Sequence, residues 1–210
     1  MNKYKKSDLS YLYSVNVVTG CFSNVEEALK HIFLIREIFS RFNFFGPLFY
    51  LGSEITSDKA FNELEKIKPF TLCLSLECFS NRKRILRERK ARISLEAAKE
   101  ILNKSKDKGF GTHFSYVLGL ESLELILEKM EDLLPFINKL PVINIFQPHS
   151  PTQRKLLIHE ACKLEYFLED RKELEKIFYK KGFRPRTWGN YRCLWYLKFK
   201  DEYLDGPRLP

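Results

Sequence analysis

Polar residues and glycines recur where the apolar runs of this chain end, and any chemistry must be looked for there first. Thr19-Gly20, Gly52-Ser53-Glu54, Ser75 with Glu77, Gly119, and Asn144 with Gln147 each close or interrupt such a run. Together they supply hydrogen-bonding groups, carboxylates and backbone that a flat ligand can approach closely at glycine. That set suits the holding of a polar ligand. Each position taken singly reads as an ordinary strand exit, where Gly, Ser, Thr and Asn are common. Taken together they are read as a ligand site, because Glu77 and Asn144 would otherwise be polar groups facing a crowded interior. Other chemistries find little support. His31, His113, His149 and His159 are dispersed. Cys73 and Cys78 would face opposite ways on one strand, and no Cys-x-x-Cys or paired His motif is present, so no metal site is expected. Neither glycine-rich phosphate loop occurs. No nucleophile–base pair stands out, which counts against ordinary hydrolase chemistry.

The elements that would position these groups follow from hydrophobic period and caps. Phe70–Ser80, FTLCLSLECFS, is the centre: Cys73, Ser75 and Glu77 fall on one strand face and Leu72, Leu74 and Leu76 on the other. The leucines should pack under helices, the Cys/Ser/Glu face should look into a lumen, and Glu77 should sit at the carboxyl end of the strand, or else be an idle solvated strand-end carboxylate. Further strands are expected at Tyr11–Gly20, Leu48–Thr56, Thr112–Leu120 and Val142–Gln147. Between them lie helices capped by Asn24, Ser57, Ser94 and Ser122, and a last long helix runs over roughly Arg154–Lys181, undivided or in two pieces. The pattern predicts an α/β fold: a partial (β/α) barrel of about five β/α units with parallel strands, TIM-barrel-like. It should form a single domain over residues 1–210, with an aromatic C-terminal tail from about 184 to 210.

The 210 residues are 44% hydrophobic and 30% charged, an ordinary globular balance able to form one sizeable core. No apolar run approaches the roughly 18 residues of a membrane span. No apolar signal core follows the basic start, and the five cysteines are odd in number and scattered. A cytoplasmic setting is expected. The net charge of +9 admits anionic partners. The densest basic run, Arg82–Arg92, lacks the glycines and interleaved aromatics of a single-strand platform, which disfavours nucleic acid.

SLECFS, the arginine-rich stretch, RISLEAAKEILNKSKDKGF, THFSYVLGLES and PVINIFQPHSP follow one another in an order and spacing that resemble the biotin-synthase-like branch of the radical S-adenosylmethionine (SAM) enzymes. The resemblance runs from about Pro47 to Pro151 and implies a partial (β/α)6 barrel. By it Glu77 would help hold SAM through the ribose, with Ser75 the polar residue two before it. Arg92 would contact the SAM carboxylate, Val117 and Gly119 would lie near the adenine, and Thr19 and Gly20 would lie by the SAM amino group. Asn144 would lie in the substrate region, and Gln147, at the end of the same strand, is placed with it for a small-molecule substrate. The departures are specific. Gly-Gly-Glu is absent at Thr19-Gly20, Ser115 replaces a glycine, and Glu121 sits one place early. The Cys-x3-Cys-x2-Cys loop is missing, and against the family the chain begins at the second strand. The resemblance therefore implies a [4Fe–4S] cluster only if a partner polypeptide or a missing N-terminal segment carries its ligands. The alternative is a cluster-less, non-catalytic descendant that binds SAM or a nucleotide, or serves as a scaffold.

Overall fold

The computed structural model describes residues 8–18 and 20–183, so Thr19 and the tail from about 184 to 210 lie outside the described residues. Among the described residues five strands form, β1 (Val15–Val17), β2 (Leu48–Gly52), β3 (Phe70–Glu77), β4 (Gly111–Leu118) and β5 (Val142–Ile145). They pair in the order β1-β2-β3-β4-β5, every pair parallel, in a curled half-barrel sheet. The helices are α1 (Val25–Ser40), α2 (Asp58–Leu64), α3 (Arg82–Ile85), α4 (Glu88–Ala91), α5 (Leu95–Asp107), α6 (Leu123–Leu133), α7 (Pro151–Arg154) and α8 (Leu164–Lys180). Among the described residues, no helix is long and apolar enough to cross a membrane.

Side-chain caps start four of these eight helices. Asn24 Oδ1 accepts from the Glu27 N–H at 2.8 Å, and the Glu27 carboxylate reaches back to the Ser23 N–H at 3.0 Å. Two of the N–H groups orphaned at the start of α1 are thereby satisfied. Ser57 and Ser94 cap α2 and α5 in the same way. Ser122 holds the extended cap conformation before α6, but its side chain makes no capping bond. Gly109, at φ +73°, closes α5 in the left-handed conformation that costs glycine nothing.

The two faces of the sheet differ chemically. Leu72, Leu74 and Leu76 lie fully buried, in one core with Phe114, Tyr116 and Leu118 of β4 and with the inward stripes of the helices. Burying each such side chain contributes about 1.5–3 kcal/mol, so this face holds the fold together. The opposite face of the central pair is small or polar. Cys73 pairs in register with His113 and Ser75 with Ser115. All four are buried, yet none belongs to the main core. His113 donates its Nδ1–H to the Leu140 carbonyl at 2.7 Å, and burial, foremost, lowers its pKa to about 4, so it is neutral at physiological pH.

Three expectations are corrected. β1 covers only Val15–Val17 of the expected Tyr11–Gly20, because pairing begins where β2 is available and the preceding chain turns off to bond Leu9 N–H to the Phe42 carbonyl. The long helix from Arg154 is instead α7, an irregular crossing with a 3-10 turn at Glu160–Cys162, and α8. The crossing exists because Ile158 N–H bonds the Gly119 carbonyl at 3.1 Å, a tertiary contact that a continuous helix would forfeit. Asn144 does not face a crowded lumen: it is exposed on β5, which is the last strand of the sheet.

Candidate functional site

The carboxyl ends of β3 and β4 place the most organised polar groups. The β3–β4 ladder slips between Ser75 and Glu77, so that two residues of β3 face one of β4. Glu77 takes up the slip with φ +67°, left-handed backbone for a residue that has a Cβ. Such a conformation costs on the order of 1–2 kcal/mol and persists only where surrounding contacts impose it. Here they do. Arg82, buried, donates to the carbonyls of Leu76 at 2.7 Å and of Cys78, clasping the chain on both sides of Glu77. The same guanidinium donates to the Lys90 carbonyl at 2.6 Å and so draws α4 toward the strand end.

The result is a carboxylate held at a defined place. Glu77 Oε1 accepts from Ser75 Oγ at 2.6 Å and from Lys90 Nζ, while Oε2 has no hydrogen-bond partner among the described residues. Burial alone would raise the Glu77 carboxyl. The bonds from Lys90 and Ser75, with the charges of Lys90 and Arg82, outweigh it and hold the group below its ordinary value. Glu77 is therefore an anion at neutral pH with one oxygen still able to accept. It opens on a cavity of about 180 Å³ otherwise walled by Ile85, Leu86, Val117, Leu120, Phe146, Gln153 and Leu156. One carboxylate among largely apolar walls suits a flat apolar group joined to a hydroxyl-bearing one.

A second carboxylate fixes the loop beyond β3. Glu121 is 3% exposed and accepts from the Phe79 N–H at 2.9 and 3.1 Å, from Ser80 N–H, from Ser80 Oγ at 2.6 Å and from the Tyr116 hydroxyl at 2.6 Å. Burial, then the Glu121 charge, raises the Tyr116 hydroxyl far above its ordinary value, which keeps it a donor. On β2, Gly52 leaves room for Tyr50 to donate to Glu54 at 2.6 Å; a Cβ there would lie 2.3 Å from the Tyr50 oxygen.

Not every sequence-predicted residue joins this constellation. Ser75, Glu77 and Val117 come together. Arg92 ends α4, exposed and paired with Glu88, and the residue that reaches Glu77 is Lys90. Gly119 has the left-handed φ of +106°, but the space beside it is filled: a Cβ would meet Leu157 at 3.2 Å and Phe167 at 3.4 Å. Gly20 is exposed at the exit of β1, and Thr19 lies outside the described residues. Asn144 and Gln147 are exposed and do not line the Glu77 cavity. Sequence reading missed Lys90 and Arg82 as partners of Glu77. Their only signal was membership of a basic run. It noted Glu121 but not its burial, for which the one signal is a carboxylate directly behind an apolar strand.

An iron–sulfur cluster does not fit the described residues. Among them no group of three or more His, Cys, Asp or Glu is placed to hold a metal ion. Cys73 and Cys78 are buried, and burial, foremost, pushes the Cys78 thiol up to about 12 and Cys73 higher still. Searches of family models, of curated proteins and of solved structures found no match to this chain.

Proposed function

We propose that this chain is the SAM-binding body of a radical SAM enzyme, its five strands belonging to a partial (β/α), TIM-barrel-like barrel. The observation that carries the reading is Glu77: the residue assigned to the ribose by resemblance stands, backbone strained, at the end of the central strand with a free carboxylate oxygen. A vicinal diol donates well to such a carboxylate, and Val117 with its apolar neighbours offers the surface on which an adenine lies. Whole-ligand cavities usually measure about 300–1,000 Å³, so the roughly 180 Å³ here would take the nucleoside end and leave the remainder outside. Reductive cleavage of SAM needs an electron from a cluster, which the described residues do not hold. No chemical step is therefore assigned to them, and the [4Fe–4S] ligands would come from a partner polypeptide or a further segment.

Calorimetric titration of SAM into the full chain, alone and with a cluster-bearing partner, tests the assignment. Glu77→Ala should weaken SAM by about 1.5–3 kcal/mol, the worth of a hydrogen bond to a charged group, or roughly 10- to 150-fold. Equal affinity in the two proteins would sink the assignment.

A surface for such a partner is supported by the distribution of exposed apolar groups. Among the described residues, seven of the ten large exposed hydrophobics fall between residues 11 and 45: Tyr11, Tyr13, Val18, Leu34, Ile38, Phe42 and Phe45. Tyr11, Tyr13 and Val18 flank β1, an end strand of the sheet among the described residues, Leu34 and Ile38 lie on α1, and Phe42 follows its end. A strand–helix unit would cover both. Leu34→Glu with Ile38→Glu should strip iron from the complex purified with a co-expressed cluster-bearing polypeptide. Undiminished iron would argue against this surface.

A further inference from the structure

The exit of β5 carries a site that the SAM reading does not use. A cavity of about 420 Å³, within the range of small-molecule sites, is lined among the described residues by Pro148, His149, Ser150, Pro151, Arg154 and Lys155. Two of these side chains are cationic, a third is an imidazole, and none is acidic. Some basic side chains of this protein are ion-paired, as Arg41 is with Glu37 and Lys176 with Glu173. Arg154 and Lys155 have no ion-pair or hydrogen-bond partner for their charged groups among the described residues.

The turn that carries them is fixed in advance. Ser150 Oγ accepts from the Gln153 N–H at 3.2 Å, and Gln153 Oε1 accepts from the His149 N–H at 2.7 Å, a reciprocal pair that locks the backbone over 149–153. Pro148 and Pro151 restrict it further. Little backbone ordering is then left for a ligand to impose, while the exposed side chains of Arg154 and Lys155 are ordered only on binding. Gln153 and Leu156, on the same turn, line the Glu77 cavity. The two cavities are therefore neighbours, one walled by a carboxylate and apolar groups and the other by cations.

We propose that the cavity at Arg154 and Lys155 is an oxyanion subsite, taking a phosphate or carboxylate group of a small-molecule ligand. The guanidinium matches either anion with two parallel N–H bonds, and the ammonium adds a point charge. That it receives the substrate end of a ligand whose neighbour occupies the Glu77 cavity rests on the SAM reading; the anion site itself does not.

Inorganic phosphate and acetate, each titrated into the full chain at constant ionic strength, test the site without SAM. The readout is the His149 ring resonances. Saturable shifts are expected, and the double variant Arg154→Gln, Lys155→Gln should weaken binding by about tenfold or more, a loss of about 1.4 kcal/mol. Lys30→Gln, which removes one exposed charge on α1, should leave it unchanged. Saturation by phosphate alone would assign a phosphoryl ligand, and saturation by both would extend the assignment to carboxylates. Linear, unsaturated shifts with both anions, or a double variant that binds like the native protein, would overturn the proposal. A circular dichroism spectrum like that of the native protein separates loss of the site from loss of the fold.

Discussion

Glu121→Ala is expected to lower the stability of the fold by about 3–5 kcal/mol, the largest single-residue effect at the candidate site. The carboxylate satisfies two backbone N–H groups, the Ser80 hydroxyl and the Tyr116 hydroxyl in a nearly closed environment. Removing it orphans those donors at about 1–3 kcal/mol for each that water does not reach. Glu121→Gln keeps the shape and one acceptor oxygen, so it should lose clearly less. Urea unfolding followed by far-ultraviolet dichroism gives both numbers. A loss under about 1 kcal/mol for the alanine variant would mean that water replaces the carboxylate, and that the loop beyond β3 is not held as described. The consequence reaches the candidate site. Phe79 and Ser80 begin the segment that leads to Arg82, so a loosened loop should also blur the position of Glu77.

The way Glu121 and Glu77 are built explains what could be read from residues alone. Strand centres and helix starts depend on neighbours in sequence. The leucines and the Cys/Ser positions of Phe70–Glu77 separate onto two faces as period two requires, and Asn24, Ser57 and Ser94 cap as their residue types suggest. A carboxylate at the end of the central strand was legible for the same reason. Its conformation was not. The slip in register at Glu77 depends on the neighbouring strand and on a guanidinium five residues ahead that clasps two carbonyls, and nothing in the run NRKRILRERKAR distinguishes Arg82 from its exposed neighbours. Gly119 shows the converse error. Close approach of a flat ligand to its backbone was the expectation, but the space beside it is used by Leu157 and Phe167 from a later part of the chain. A long helix over roughly Arg154–Lys181, undivided or in two pieces, was expected from local preference, and the crossing that delivers Leu157 takes the place of its first part.

Arg82→Met should cost about 3 kcal/mol and should also change how Glu77 titrates. Methionine fills much of the space of the arginine stem but donates nothing, so the carbonyls of Leu76, Cys78 and Lys90 lose their shared donor. Part of that loss is offset because a buried cation no longer has to be desolvated; that burial lowers the pKa of Arg82 in the native protein. The specific readout lies at the neighbouring carboxylate. Burial works to raise the Glu77 pKa, and Lys90, Ser75 and Arg82 together hold it below 4.5. The variant removes the Arg82 charge directly and, by freeing the α4 backbone, loosens the hold of Lys90. Glu77 should then titrate higher, observable as its side-chain carbonyl carbon resonance followed against pH. The sign for stability follows. In the native protein the ionised Glu77 adds stability that is present above the unfolded-state pKa, near 4.5, and is lost as pH falls through the depressed folded-state value. As the two values converge in the variant, that acid-sensitive increment shrinks. Unfolding measured between pH 3 and pH 6 should therefore show a shallower acid limb for Arg82→Met than for the native chain. If Glu77 titrates identically in both proteins, Arg82 only braces the loop, and the placement of the carboxylate must be credited to Ser75 and Lys90 alone.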